Sequence, residues 1–164
     1  MLKIVVGVDP GWSSGGMAAL ALSGSIVGAS KFNGLTTQEI WDLFYHPMGR
    51  DDCVVVWSIL EKVNAFPGQG RSSIFKFGGS YYALWMAMTA AGYPRARVGP
   101  GKWQRSMGAQ KRGKDEPKVD HKRRLRAMAQ ELWPHTKLIT NATADALLLA
   151  EYARREYLET HPEY

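Results

Sequence analysis

The chain carries one cysteine, Cys53, among its 164 residues, so an internal disulfide is excluded. A thiolate metal centre is excluded with it, and His46, His121, His135 and His161 lack zinc-like spacing. No apolar run reaches the roughly 18 residues that a membrane-spanning helix needs. The opening Met1-Leu2-Lys3-Ile4 reads as a short strand and not as a secretory leader. Pro67-Gly68-Gln69-Gly70 is not followed by the Gly-Lys-Ser/Thr of a phosphate-binding loop. No serine sits in a nucleophile-elbow pattern, and no internal repeat or low-complexity segment is visible. These absences leave a soluble protein of a reducing compartment, expected in the cytoplasm and with no membrane partner. Cys53, beside Val54-Val55-Val56, is expected to pack as a small apolar side chain.

Hydrophobic residues make up 45% of the chain and charged ones 22%, an ordinary globular balance. The length fits one domain over residues 1–164, with a core of useful size. The net charge of +6 says less than its distribution. From Lys102 to Arg126, 25 residues hold 10 of the 21 Lys and Arg, opposed only by Asp115, Glu116 and Asp120. So concentrated a cationic stretch favours a polyanion partner. The plainer alternative is a solvated helix face with a basic loop.

Val and Ile spacing predicts a buried strand over 3–9, stopped by Pro10-Gly11. Strands over 17–22 and 25–32 complete an antiparallel meander around Ser23-Gly24. A helix follows over 37–45, with Thr37 as its cap, and then a continuous apolar strand over 53–60. A Gly/Pro/Ser-rich loop over 64–73 leads into a helix over 74–91, with a possible break at Gly78-Gly79. A short strand at 96–98, a small helix at 100–106, a mobile loop over 108–116 and helices over 117–133 and 143–158 close the chain. Strands followed by strand–helix alternation define an α/β fold with a mixed sheet.

Three acids stand in distinctive settings. Asp9 ends one apolar run, Glu61 ends another, and Asp145 opens a third. Each has an everyday explanation: turn punctuation for Asp9, an ion pair with Lys62 for Glu61, and an acid at a helix N-terminus for Asp145. One divalent cation explains all three, since Mg²⁺ is held by a few carboxylates with water and phosphate oxygens. Asn141 lies one helical turn before Asp145 and offers an amide oxygen but no charge. Metal ions held in this way activate water for phosphodiester cleavage. The acids alone would repel a nucleic acid backbone, so the basic stretch is needed to hold it. Lys102, Arg105, Lys111, Arg112, Lys114, Lys118 and Lys122 are the candidates there. Phe66 and Arg71 add an aromatic and a cation on the loop after Glu61, placed to stack on bases or to anchor the loop. The six tryptophans read as core and interface, with Trp103 the best exception as a base-stacking candidate.

The ordered set Gly7-Val8-Asp9-Pro10-Gly11, Leu60-Glu61-Lys62-Val63 and Ala144-Asp145-Ala146-Leu147-Leu148 resembles the RuvC family of Holliday junction resolvases. Glu61 to Gly70 with Phe75-Lys76-Phe77-Gly78 resembles the bacteriophage branch of that family, and the likeness runs from about 3 to 155. It implies a ribonuclease H-like fold, a mixed five-stranded sheet flanked by helices. It implies a homodimer on a four-way DNA junction, nicking paired strands with Mg²⁺ or Mn²⁺ in the cytoplasm of a host cell. Asp9 would bridge the metals, with Glu61 and Asp145 completing the set. The family's fourth ligand falls at Asn141, a departure from its acid or His. Lys118, with Lys122 second, would stabilise charge on the phosphate, and Phe66 would help open the junction. The helix over 74–91 would form the dimer interface. If Asn141 is a defect, the chain binds junctions and cuts them weakly or not at all. An actin-like ATPase also begins with a strand and Asp-x-Gly, but the chain is short and lacks a second phosphate loop.

Overall fold

A computed structural model describes residues 1–64, 70–109 and 112–164. Five strands and five α-helices alternate in it: β1 (Leu2–Asp9), β2 (Gly16–Ala21), β3 (Ile26–Lys31), α1 (Thr37–Tyr45), β4 (Cys53–Glu61), α2 (Arg71–Ala90), β5 (Arg95–Val98), α3 (Pro100–Ser106), α4 (Lys118–Leu132) and α5 (Ala144–Thr160). They form one mixed sheet of order β3-β2-β1-β4-β5. The first three strands are antiparallel, whereas β4 runs parallel to β1 and β5 parallel to β4. The α/β class and the five-stranded mixed sheet expected from the sequence are therefore present.

The sheet separates two cores, and the two-residue period of a strand assigns side chains to each. On one face Ile4, Val6, Val8 and Leu60 pack with Phe44 of α1 and with Tyr81, Leu84 and Met88 of α2. On the other, Val5 and Ile59 pack with Leu147, Leu148 and Ala150 of α5, Leu125 of α4 and Trp103 of α3. Asp9 and Glu61 continue the second series, so both carboxylates point to the α5 face. Gly7 lies in that series too. A Cβ there would stand 2.3 Å from both Ala146 O and Ala150 N, so α5 touches the β1 backbone directly.

Boundaries differ from the sequence expectations in physically clear ways. Thr36, not Thr37, caps α1: its hydroxyl accepts from Glu39 N at 3.2 Å, while Glu39 Oε2 accepts from Thr36 N at 2.7 Å. This reciprocal pair satisfies two otherwise orphaned amides. Helix α2 begins at Arg71, three residues before the expected start, and runs through Gly78-Gly79 without interruption. Two glycines cost about 2 kcal/mol of helix propensity relative to alanine, an amount that Tyr81, Leu84 and Met88 offset by burial. The stretch after residue 111 is fastened to α4 by Glu116, which accepts from Gly113 N at 3.0 Å and from Arg124 at 2.8 and 2.7 Å. Among the described residues, no helix is long and apolar enough to cross a membrane.

Candidate active site

Asp9 and Glu61 are the last residues of β1 and β4, and Val8 pairs with Leu60 across the two parallel strands. The register therefore sets the two carboxylates side by side at the carboxyl ends of neighbouring parallel strands, the usual ligand crevice of an open α/β sheet. Gly11, at φ +128°, lets the chain turn away immediately after Asp9-Pro10. Asp145 comes from the opposite direction, in the first turn of α5. A knot of hydroxyls fixes that helix start: Thr143 Oγ1 donates to Leu138 O at 2.5 Å and accepts from Thr140 N at 2.8 Å. Close packing of α5 on Gly7 then holds Asp145 against the end of β1.

The three acids line one cavity of about 620 Å³ with Lys76, Lys118, Lys122 and Ser80. Asp9 and Asp145 are buried. Lys122 Nζ lies 3.0 Å from Asp145 Oδ2 and 3.8 Å from Asp9 Oδ2. Trp103 is fully buried and donates its indole N–H to Glu61 Oε2 at 2.6 Å. Its place under the carboxylates, and not on a surface, corrects the expectation that it stacks on bases.

These groups perturb one another strongly. Burial raises the Asp9 carboxyl well above its ordinary range, and the charges of Asp145 and Glu61 push the same way, against Lys122. Burial also lifts Glu61 to about 7; the Trp103 hydrogen bond and Lys122 pull it down, while Asp145 adds to the rise. For Lys122, burial lowers the pKa, but Asp145, Asp9 and Glu61 more than offset that and raise it. One ammonium thus leaves a surplus of negative charge in a low-dielectric crevice.

That surplus, presented by hard oxygen donors, fits a divalent cation such as Mg²⁺ or Mn²⁺. Among the described residues, no group of three or more His, Cys, Asp or Glu side chains is placed to hold a metal ion by itself.

The remaining sequence candidates divide. Lys118 lines the cavity but makes no ion pair with the acids among the described residues; Lys122, one helical turn on, is the lysine that touches them. Asn141 lines a neighbouring cavity and not the one that holds the acids. It lies in the turn before α5, on the exposed side, and its Oδ1 accepts from Arg126 Nη1 at 3.2 Å. It precedes the helix, which starts at Ala144. Arg112 lines a neighbouring cavity. Lys102 and Arg105 on α3, Arg71 at the start of α2 and Lys114 are exposed. Phe66 and Lys111 lie outside the described residues. Sequence reasoning missed the partnership of Trp103 with Glu61 and the presence of Lys76 on α2. A tryptophan in a short helix straight after an edge strand was the available signal for the first.

A mixed five-stranded sheet with acids at its parallel strand ends and on its last helix defines a ribonuclease H-like α/β fold. Solved RuvC structures share this fold. RuvC from Thermus thermophilus, in complex with a Holliday junction substrate, superposes with a TM-score of 0.68 at 15% identity, over 96% of this chain and 96% of that one. A second structure of T. thermophilus RuvC gives a TM-score of 0.57 at 16% identity, over 97% and 96%. No family model and no curated protein sequence matches the chain.

Proposed function

We propose that the chain is a metal-dependent endonuclease that resolves four-way DNA junctions by paired nicks. One observation carries the reading: Asp9, Glu61 and Asp145, from three separate elements, line one cavity beside Lys122. The solved RuvC structure of the same fold holds a Holliday junction substrate, which supports branched DNA as the partner. The motif around Glu61 supports a phage-type member.

Asp9, Glu61 and Asp145 would hold Mg²⁺, or Mn²⁺ in its place, which supplies an activated water and stabilises the leaving oxygen. The protein's own work is positional and electrostatic. Trp103 fixes the rotation of the Glu61 carboxylate through its indole N–H. Lys122 offsets part of the negative charge before substrate arrives and presents a cation to the scissile phosphate afterwards. Lys118 and Lys76 extend that cationic rim toward the backbone on either side.

Two active sites facing one junction require two copies, and α2 offers the surface. Phe75, Tyr82 and Met86 are 84, 65 and 63% exposed along one stripe of that helix. A Cβ added at Gly78 or Gly79 within the stripe would meet nothing within 4 Å, so another helix can approach closely there.

The test is cleavage of a labelled synthetic four-way junction with Mg²⁺, Mn²⁺ or EDTA, beside a linear duplex of the same sequence. Symmetric nicks on the junction alone, lost in EDTA, are the expected result. Equal affinity for junction and duplex, with no cutting, would overturn the reading. Selective junction binding without cutting would reduce it to a binding protein.

A further inference from the structure

Beside the carboxylates lies a second cavity of about 870 Å³, which shares Lys118 and Lys122 with the first. Among its described lining residues five are cationic, Arg112, Arg123 and Arg126 being the others, and none is acidic. Arg126 is the informative one. It is partly buried, and among the described residues its Nε is enclosed without a hydrogen-bond partner while its Nη1 donates to the neutral Asn141. Among the described residues no carboxylate pairs with it. Nearby arginines behave differently: Arg123 pairs with Asp120 at 2.8 Å and Arg124 with Glu116 at 2.7 Å. Arg95, which also has an enclosed Nε, spends its head on the Trp85 ring and the Tyr93 carbonyl. A partly buried guanidinium without an anion is costly, and structures normally supply the partner.

We infer that Arg126, steered by Asn141, binds a DNA phosphate next to the scissile one, and that Asn141 serves this arginine instead of a metal ion. The inference rests on the nuclease reading above. A strand that lays one phosphate on the three carboxylates passes Lys118 and Lys122 and enters the second cavity. There a planar guanidinium fork matches the phosphate oxygens. Val119 and Pro100 give that cavity an apolar wall against which a sugar or base can rest. At this position a carboxylate would neutralise the arginine, whereas an asparagine holds it by a neutral acceptor and leaves its charge for the strand.

The experiment is equilibrium binding of a fluorescent four-way junction in EDTA across a salt series. Arg126→Ala is expected to weaken binding and to reduce the slope of log K against log salt by about one, the mark of a lost phosphate contact. Arg126→Lys should retain most of the slope, which separates lost charge from lost fold. Asn141→Ala should weaken junction binding while leaving the Mn²⁺-induced rise in melting temperature equal to that of the parent. An unchanged slope in Arg126→Ala overturns the inference. So does a smaller Mn²⁺ effect in Asn141→Ala with unaltered junction binding, since that behaviour belongs to a metal ligand. Cleavage by the parent protein is followed in parallel: its absence would count against the nuclease, while the salt slope judges Arg126 by itself.

Discussion

Carboxylates crowded around one lysine leave a pH signature before any DNA is added. Glu61 has an ordinary value of 4.5 and stands at about 7 in the folded chain. Between those values the folded protein keeps a proton that the unfolded chain has released. Unfolding therefore becomes easier as pH rises through that window, and the effect levels off above it. Asp9, raised by burial and by its acidic neighbours, adds to the same trend. In EDTA the melting temperature should fall from pH 5 to pH 7.5, and Glu61→Gln should flatten part of that fall, by an amount on the order of a few kcal/mol. Identical profiles for parent and variant would show that Glu61 is not strained. Asp9→Asn should abolish cutting yet keep junction affinity, because a neutral amide removes an anionic ligand and no DNA contact; undiminished nicking by this variant would remove Asp9 from the mechanism. Trp103→Phe preserves most of the buried volume and loses only the N–H to Glu61. Outer partners of metal-holding side chains are typically worth 10–100-fold in metal affinity or activity, and Mn²⁺ titration by melting temperature should show a loss of that size. The three acids stood out in the sequence because each lies at the end or the start of an apolar run. The Trp103 contact was not, since Glu61 and Trp103 are 42 residues apart and nothing local couples them.

At the scale of elements, the site depends on how closely α5 approaches β1. Gly7 permits that approach, and it lies two residues before Asp9 on the same face of the strand. Gly7→Ala would drive a methyl group into Ala146 O and Ala150 N at 2.3 Å, against backbone and not a pliable side chain. Overpacking of this kind costs about 1–3 kcal/mol, and α5 must shift, carrying Asp145 away from Asp9. Thermal melting should register the loss, and cleavage should fall further than the melting temperature alone explains. A variant that keeps both would mean that α5 can retreat without disturbing its first turn. The strands were readable because a two-residue period and β-branched runs survive in any context, and β4 in particular is a continuous apolar run. Helix starts were less so. Helix α2 begins at Arg71 behind Gly70, with no side-chain cap to mark it, whereas α5 begins at Ala144, within one residue of the expected start. Asn141 lies one helical turn before Asp145 in the sequence, and what the fold adds is its hydrogen bond from Arg126.

For the whole molecule, the open question is how many copies act together, and α2 carries the argument. The helix buries Tyr81, Leu84 and Met88 inward and leaves Phe75, Tyr82 and Met86 bare on the opposite side. A stripe of large apolar side chains separated by two glycines is a poor surface for water and a good one for another helix. A two-fold axis through such a stripe would set the same patch of both copies against each other, as a closed dimer requires. The parent protein should therefore sediment at twice the 18.3 kDa of one chain. Among the described residues, Tyr82 meets the core only through an edge-on contact with Tyr81, so Tyr82→Glu, which puts a charge at the middle of the stripe, should give a folded particle of 18.3 kDa with unchanged circular dichroism. Its nicks on a four-way junction should lose their pairing: one strand is cut per encounter, and the second cut follows only after a new binding event. Simultaneous nicks from a demonstrated monomer would detach catalysis from dimerisation. A parent protein that sediments as a single chain at micromolar concentration would leave the α2 stripe to some other partner and would require the junction itself to bring two copies together.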